Sequence, residues 1–416
     1  MQRKTLAVLA AISAGTLLAG CGGGGPSGSS GSKLSDGKVV LGVLTDLSGV
    51  YSQIAGQKTV AAVQMAVDDY KKKYGSKAVA KDISVVSADH QDKPDVANSQ
   101  ARQMYERQNV DAIFDVPTSS AALAVANVAK SDKRMYFNIG AATTALTGKE
   151  CNKYSYGWAY DTYMLANGTA RTVTENGGKN WYLIYPDYAF GQDMQAKFTS
   201  AIQSSGGKVV ANDPTPFPND NFSTFMLKAP TLNPQPQVLG AMQAGGDLVN
   251  VAKQYQQFKL KDKGIKLAIG LMFDNDIKSI GVDTLAGTQF TTAWFWSLDA
   301  RSKAWADEFK QRTGERPNFD QAANYSAATQ YLEAIQRAGT DSSDSVVKQL
   351  DGMKFDDVFA RNAKVRSQDH RVVHDAYLVE VKSKADQSEP EDFTKLVKDI
   401  PADQAFAPAS SDCHLG

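Results

Sequence analysis

Residues 39–70 read VVLGVLTDLSGVYSQIAGQKTVAAVQMAVDDY, a buried strand, a polar glycine-bearing turn and an amphipathic helix in direct succession. Val39 to Leu44 is apolar on both faces, the pattern of a strand covered by helices on two sides. In the helical part Val60, Val63, Val67 and Tyr70 fall on one stripe, while Gln57, Lys58, Gln64, Asp68 and Lys71 face water. Between them lies TDLSGVYSQIAG. A loop at the carboxyl end of a parallel strand aims its backbone N–H groups and short hydroxyls into the crevice where open α/β sheets take ligands.

The rest of the chain repeats this unit. Ile83 to Ala88 reads as a second strand, followed by a helix from about Asp95 to Gln108 with Pro94 in its first turn. Ala112 to Val116 is a third strand with the turn Pro117-Thr118-Ser119-Ser120, and Met135 to Ile139 a fourth with the turn Gly140-Ala141-Ala142-Thr143. Regular alternation of strand and helix predicts a parallel sheet with right-handed crossovers. The rhythm changes at Tyr154 to Thr162, where aromatics cluster, and this stretch is read as the first passage between two lobes. Alternation resumes with strands at Trp181 to Tyr185, Lys208 to Ala211, Val238 to Ala241 and Lys266 to Gly270. Thr288 to Trp296 reads as a strand returning to the first lobe, whose sheet the helices at Trp305 to Arg312 and Asn324 to Arg337 then cover; Asp375 to Val381 is a last strand. The expected fold is α/β, two doubly wound parallel-sheet lobes joined by a three-crossover hinge. Residues 37–158 with 290–372 are assigned to the first lobe, and 159–289 with 373–416 to the second lobe and C-terminal tail.

The head of the chain is of another kind. Arg3 and Lys4 precede an apolar run from Leu6 to Leu18, and Leu18-Ala19-Gly20-Cys21 closes it, so residues 1–21 read as a signal peptide. The closing residues resemble the lipobox of bacterial lipoproteins, which implies cleavage before Cys21 and lipid on its thiol; the alternative is an ordinary secretory signal with an incidental cysteine. Residues 22–36, rich in Gly and Ser, form a flexible tether. With Cys21 set aside, Cys151 and Cys413 remain, and an exported chain with two cysteines suggests a disulfide; two free buried thiols are the alternative. Lys plus Arg equals Asp plus Glu at 45 each, which leaves no basic excess for nucleic acid.

TDLSGVYSQIAGQ, the PTSS turn, the GAAT turn, YPDYAFGQD and an exported, lipidated head, in that order, resemble the substrate-binding proteins of ABC importers. Within that class the chain is similar to the branched-chain amino-acid type, the leucine/isoleucine/valine-binding family with a periplasmic-binding type I fold. The resemblance implies a small-molecule ligand held in the interlobe cleft, a membrane permease as partner, a lipid anchor, and a monomer without cofactor or catalysis. It also implies that Thr118, Ser119, Ala141, Ala142 and Thr143 grip the ligand's carboxylate. Tyr51, Tyr160, Tyr188, Phe190, Gln243, Ala244 and Phe273 would form walls, and Asp274 would pair an ammonium group. Asp46, Asp161 and Asp187 are alternative polar groups for the crevice, and Asp247 is read as an N-terminal acid of its helix. The bulky apolar neighbours of Asp274 suit an aliphatic or aromatic acid as well as an amino acid. A freestanding ligand sensor reporting to a membrane receptor is the rival function. The four histidines are dispersed, and no nucleophile elbow or His-Glu-x-x-His helix appears.

Overall fold

The computed structural model describes residues 34–416; the signal peptide, Cys21 and the tether up to Lys33 lie outside the described residues. Five parallel strands, β1 (Val39–Thr45), β2 (Ile83–Asp89), β3 (Ala112–Asp115), β4 (Met135–Asn138) and β5 (Ser155–Gly157), build the first sheet in the order β2-β1-β3-β4-β5. Every residue of β1 is buried, as a strand sandwiched between helices must be. The helix Gly56–Tyr74 follows β1 and buries Thr59, Ala62, Val63, Ala66, Val67 and Tyr70, whereas Val60 is only half-buried.

The second sheet is parallel too, ordered β7-β6-β8-β9 from β6 (Asn180–Pro186), β7 (Lys208–Thr215), β8 (Val238–Ala241) and β9 (Lys266–Ile269). In both sheets the order reverses beside the first strand of the lobe, which opens a crevice at the carboxyl ends. Ser155 to Gly157, within the aromatic cluster read as a passage, is a short fifth strand that pairs with β4. The stretch read as a strand returning to the first lobe is strand only at β10 (Gln289–Thr292). It pairs antiparallel with β14 (Ala376–Val381), and β14 with β15 (Thr394–Ile400), in a sheet of their own. Its inward side chains Phe290, Tyr377, Val379 and Val381 join the second lobe's apolar cluster with Tyr182, Ile184 and Leu239. A further small antiparallel sheet joins β11 (Lys354–Phe355), β12 (Ala363–Val365) and β13 (Val372–Val373).

The helices Ala300–Thr313 and Phe319–Ala338 return to the first lobe, where Phe319–Ala338 lies along Gly56–Tyr74. Hydrogen bonds join them, from Thr59 Oγ1 to Asp320 Oδ2 (2.9 Å) and from Tyr70 Oη to Gln336 Oε1 (2.5 Å). Cys151 and Cys413 form a disulfide that ties the chain's end back to the first lobe.

Candidate functional site

The carboxyl ends of both sheets face one another, and a narrow cavity of about 20 Å³ lies between them. From the first lobe come Tyr51 and Ile54 after β1, Pro117 after β3, Gly140 and Ala142 after β4, and Asp320 from the start of the helix Phe319–Ala338. Tyr160 comes from the crossover, while Tyr188 and Phe190 after β6, Ala244 after β8, and Leu271 and Phe273 after β9 come from the second lobe. The wall residues lie in turns past strand ends or in the first turn of a helix, because only these segments reach past the sheet edge.

The opening turn is held in shape by its own acid. Asp46 Oδ1 accepts from Ser48 N (3.1 Å) and Gly49 N (2.5 Å), and Asp46 Oδ2 accepts from Tyr51 N (2.8 Å). This aims Tyr51 across the gap, where its hydroxyl lies 2.6 Å from that of Tyr188. Gly246 N donates to Val50 O at 3.3 Å, and Phe273 stacks on Phe319 at 4.4 Å between ring centres, so the two lobes are in contact around the cavity. Burial pushes the phenols of Tyr51, Tyr160 and Tyr188 well above their ordinary range, and all three stay neutral; Tyr160 donates to Gly140 O at 2.6 Å.

After β4, Ala141 N donates to Asn138 Oδ1 (3.1 Å) and Thr143 N to Ser119 Oγ (3.3 Å). No described residue accepts from the N–H groups of Gly140 and Ala142. A side chain at position 140 would bring its Cβ within 2.6 Å of Pro117 Cα, so glycine alone lets the two turns close together.

Of the residues singled out from sequence, the structure brings Tyr51, Ala142, Tyr160, Tyr188, Phe190, Ala244 and Phe273 together at the cavity. The others lie behind it. Thr118 donates its hydroxyl to Asp92 Oδ1, Ser119 supports Thr143, and Thr143 Oγ1 caps the short turn that follows by accepting from Ala145 N (3.4 Å). Ala141 is buried under the turn, and Gln243 Nε2 donates to Thr215 Oγ1 (3.3 Å).

Asp274 is the first residue of the helix Asp274–Ile280 and lines a separate pocket with Glu315, Arg316 and Trp296. Strand β9 ends at Ile269, so the following turn delivers Leu271 and Phe273 to the cavity and carries Asp274 past it.

The carboxyl that does line the cavity is Asp320. Burial, then the charge of neighbouring Asp115, holds it well above the usual carboxylate range. Asn318-Phe319-Asp320-Gln321 begins its helix as a capping box, with Asn318 Oδ1 accepting from Asp320 N (2.8 Å) and Gln321 Oε1 from Asn318 N (2.9 Å). That Asn-x-x-Gln signature is legible in the sequence; what it does not say is where the helix points.

Residues 38–387 match the family described as periplasmic binding protein. The chain belongs to that family. This binding protein is 39% identical to a periplasmic binding protein from Burkholderia mallei, over 90% of its own length and 97% of the other's, with a TM-score of 0.85. It is 36% identical to a branched chain amino acid ABC transporter periplasmic ligand-binding protein from Burkholderia xenovorans, covering 90% and 100% of the two chains, with a TM-score of 0.79. A solute binding protein of an ABC transporter from Rhodopseudomonas palustris, in complex with 3,4-dihydroxy benzoic acid, shares the fold at 22% identity, 88% and 98% coverage and a TM-score of 0.77. Binding proteins of this family are exported to the periplasm, bind small molecules and deliver them to ABC permeases.

Proposed function

We propose that this binding protein captures a small carboxylate-bearing solute, an amino acid or an aromatic acid, between its lobes and passes it to the permease of an ABC importer. One observation carries the reading: the cavity takes its walls from the strand-end turns of both lobes, so a solute inside it touches both halves at once. A ligand that contacts both lobes stabilises the closed arrangement by its differential affinity for it. The free N–H groups of Gly140 and Ala142 suit a carboxylate, and apolar groups such as Ile54, Leu271 and Phe273 suit the remainder of a small acid. The names of two relatives agree with this class, one a branched chain amino acid ABC transporter protein and the other a complex with a dihydroxybenzoic acid. The reading involves no covalent chemistry. A lipid on Cys21 would hold the body at the cell envelope.

The test is a thermal-shift screen of residues 34–416 against amino acids, short aliphatic acids and hydroxylated benzoates. A cognate solute raises the melting temperature and makes the particle more compact in small-angle scattering; a panel without a single shift refutes the carboxylate reading. For the anchor, Cys21→Ala should abolish incorporation of radiolabelled palmitate into the full chain, and persisting label would exclude that thiol.

A further inference from the structure

Where the hydroxyls of Tyr51 and Tyr188 meet across the gap, a third ring rests on both. It is Phe217, from the loop after β7, and its ring centre lies 4.4 Å from that of Tyr188 and 5.7 Å from that of Tyr51, tilted by 33° to each. Tyr51 and Tyr188 line the cavity, whereas Phe217 is half-buried and does not. The two tyrosines therefore stand between Phe217 and the cavity.

The loop that carries Phe217 is fastened to the second lobe on both sides of the ring. Before it, Thr215 Oγ1 donates to Tyr185 O (3.3 Å) and accepts from Gln243 Nε2 (3.3 Å). After it, Asn219 N donates to both oxygens of Asp247 (3.1 Å each), Phe222 N to Gln254 Oε1 (2.7 Å) and Gln254 Nε2 to Asp220 O (2.8 Å). Asp247 and Gln254 belong to one helix, Gly245–Gln257, so Phe217 is held to the same lobe as Tyr188. That helix also begins against the opening turn of the first lobe. A Cβ on Gly245, whose φ is 57°, would lie 2.6 Å from Val50 O and 3.1 Å from Tyr51 Cδ1, so the approach requires glycine there. The Tyr188–Phe217 contact is thus internal to the second lobe, while the contacts of both rings with Tyr51 are made between lobes and are lost when the lobes part.

A solute entering before the lobes meet encounters none of these interlobe contacts, and one that leaves must break them. We infer that Phe217 is a positioning residue for capture: by holding Tyr51 and Tyr188 together over the bound solute it slows release, with little effect on entry. Its ring adds an aromatic contact to the closed arrangement alone, and it covers the bond between the two hydroxyls, which is stronger when water is kept from it. Contacts of this kind change a rate constant by about three- to tenfold. The inference rests on the solute-binding reading above and adds to it a residue outside the cavity that governs how long the solute stays.

The test is stopped-flow fluorescence on the full chain, using the acid that gives the largest melting shift among the amino acids, short aliphatic acids and hydroxylated benzoates screened above. Phe217→Ala should raise the dissociation rate constant by about three- to tenfold and leave the association rate constant within about twofold. Phe217→Tyr keeps the ring and should bring release back to within about twofold of wild type. A merely structural role would lower the melting temperature without this split between the two rate constants. Wild-type release in Phe217→Ala, an equal change in entry and release, or a release rate that Phe217→Tyr fails to restore would each overturn the inference and leave the solute-binding reading standing. A screen in which no acid shifts the wild-type protein would sink both.

Discussion

Asp193, on the helix Ala189–Ser204 of the second lobe, reaches across to the turn that follows Thr143. Its carboxylate accepts from Thr144 N at 2.7 Å, from Thr144 Oγ1 at 3.0 Å and from Thr162 Oγ1 at 2.5 Å. Thr144 belongs to the first lobe and Thr162 to the crossover, so these bonds tie the halves through a residue adjacent to the turn after β4. A hydrogen bond to a charged group contributes roughly 1.5–3 kcal/mol, and with the Asp193 side chain 18% exposed the lower part of that range applies. If the Thr144 bonds form only on closure, Asp193→Ala removes about 2 kcal/mol from the closed state alone, which weakens solute affinity about 30-fold. Thr144→Val keeps the N–H and loses only the hydroxyl, so its effect should be a few-fold. Calorimetry with the solute found in the screen measures the affinity, and small-angle scattering at saturation measures how far the closed form is reached. A lowered melting temperature with affinity within about twofold of wild type would refute the reasoning, because the bonds would then exist in both open and closed forms.

Gly140→Ala should lower both stability and affinity, since the added methyl carbon would sit 2.6 Å from Pro117 Cα and 2.9 Å from Asp115 Oδ1. Overpacking of this kind costs roughly 1–3 kcal/mol, and wild-type melting and binding would show that the two turns can separate. Reducing the Cys151–Cys413 bridge, whose ends are 262 residues apart, should lower the melting temperature in scanning calorimetry. The chain-entropy model gives roughly 5 kcal/mol for a loop of that length, so an unchanged transition would mean that the bridge restrains only the tail. Burial pushes Asp111 and Asp247 each up to about 7 in the folded protein, against roughly 3.9 in an unfolded chain. The folded state therefore takes up protons first as the pH falls, and the melting temperature should rise from about pH 8.5 to 6.5. Burial also lowers His90 and His374 to about 4, so below about 6.5 the unfolded imidazoles protonate first and work against that gain. A melting temperature that falls steadily from pH 8.5 towards acid would contradict both assignments.

The parallel strands were legible because burial on two faces leaves an unbroken apolar run, as in Val39 to Leu44, and because each run is followed by a helix with a single apolar stripe. What escaped were the short or mixed elements. Ser155 to Gly157 is three residues long and sits among aromatics that pack Phe137, Trp158 and Tyr331, so no period announces it. Strand β15 exposes most of its length, with Leu396 and Val397 at the surface, so its sequence does not read as core. Its pairing with β14 is fixed by tertiary context.

The site divides along the same line. Turns at strand ends can be located from the strands, which is why Tyr51, Ala142, Tyr188 and Phe273 could be placed at the crevice before any coordinates. Whether a hydroxyl in such a turn faces the cavity or the backbone is decided by one or two torsions. Thr118 and Thr143 both turn away, one to Asp92 and the other to Ala145 N. The acid presented a harder problem, because Asp320 enters from a helix that returns to the first lobe after the second is complete. The Asp115–Asp320 pair lies 205 positions apart in the sequence and is made by Thr59, Asn324 and the close approach of Gly140, none of which suggests a carboxyl site alone.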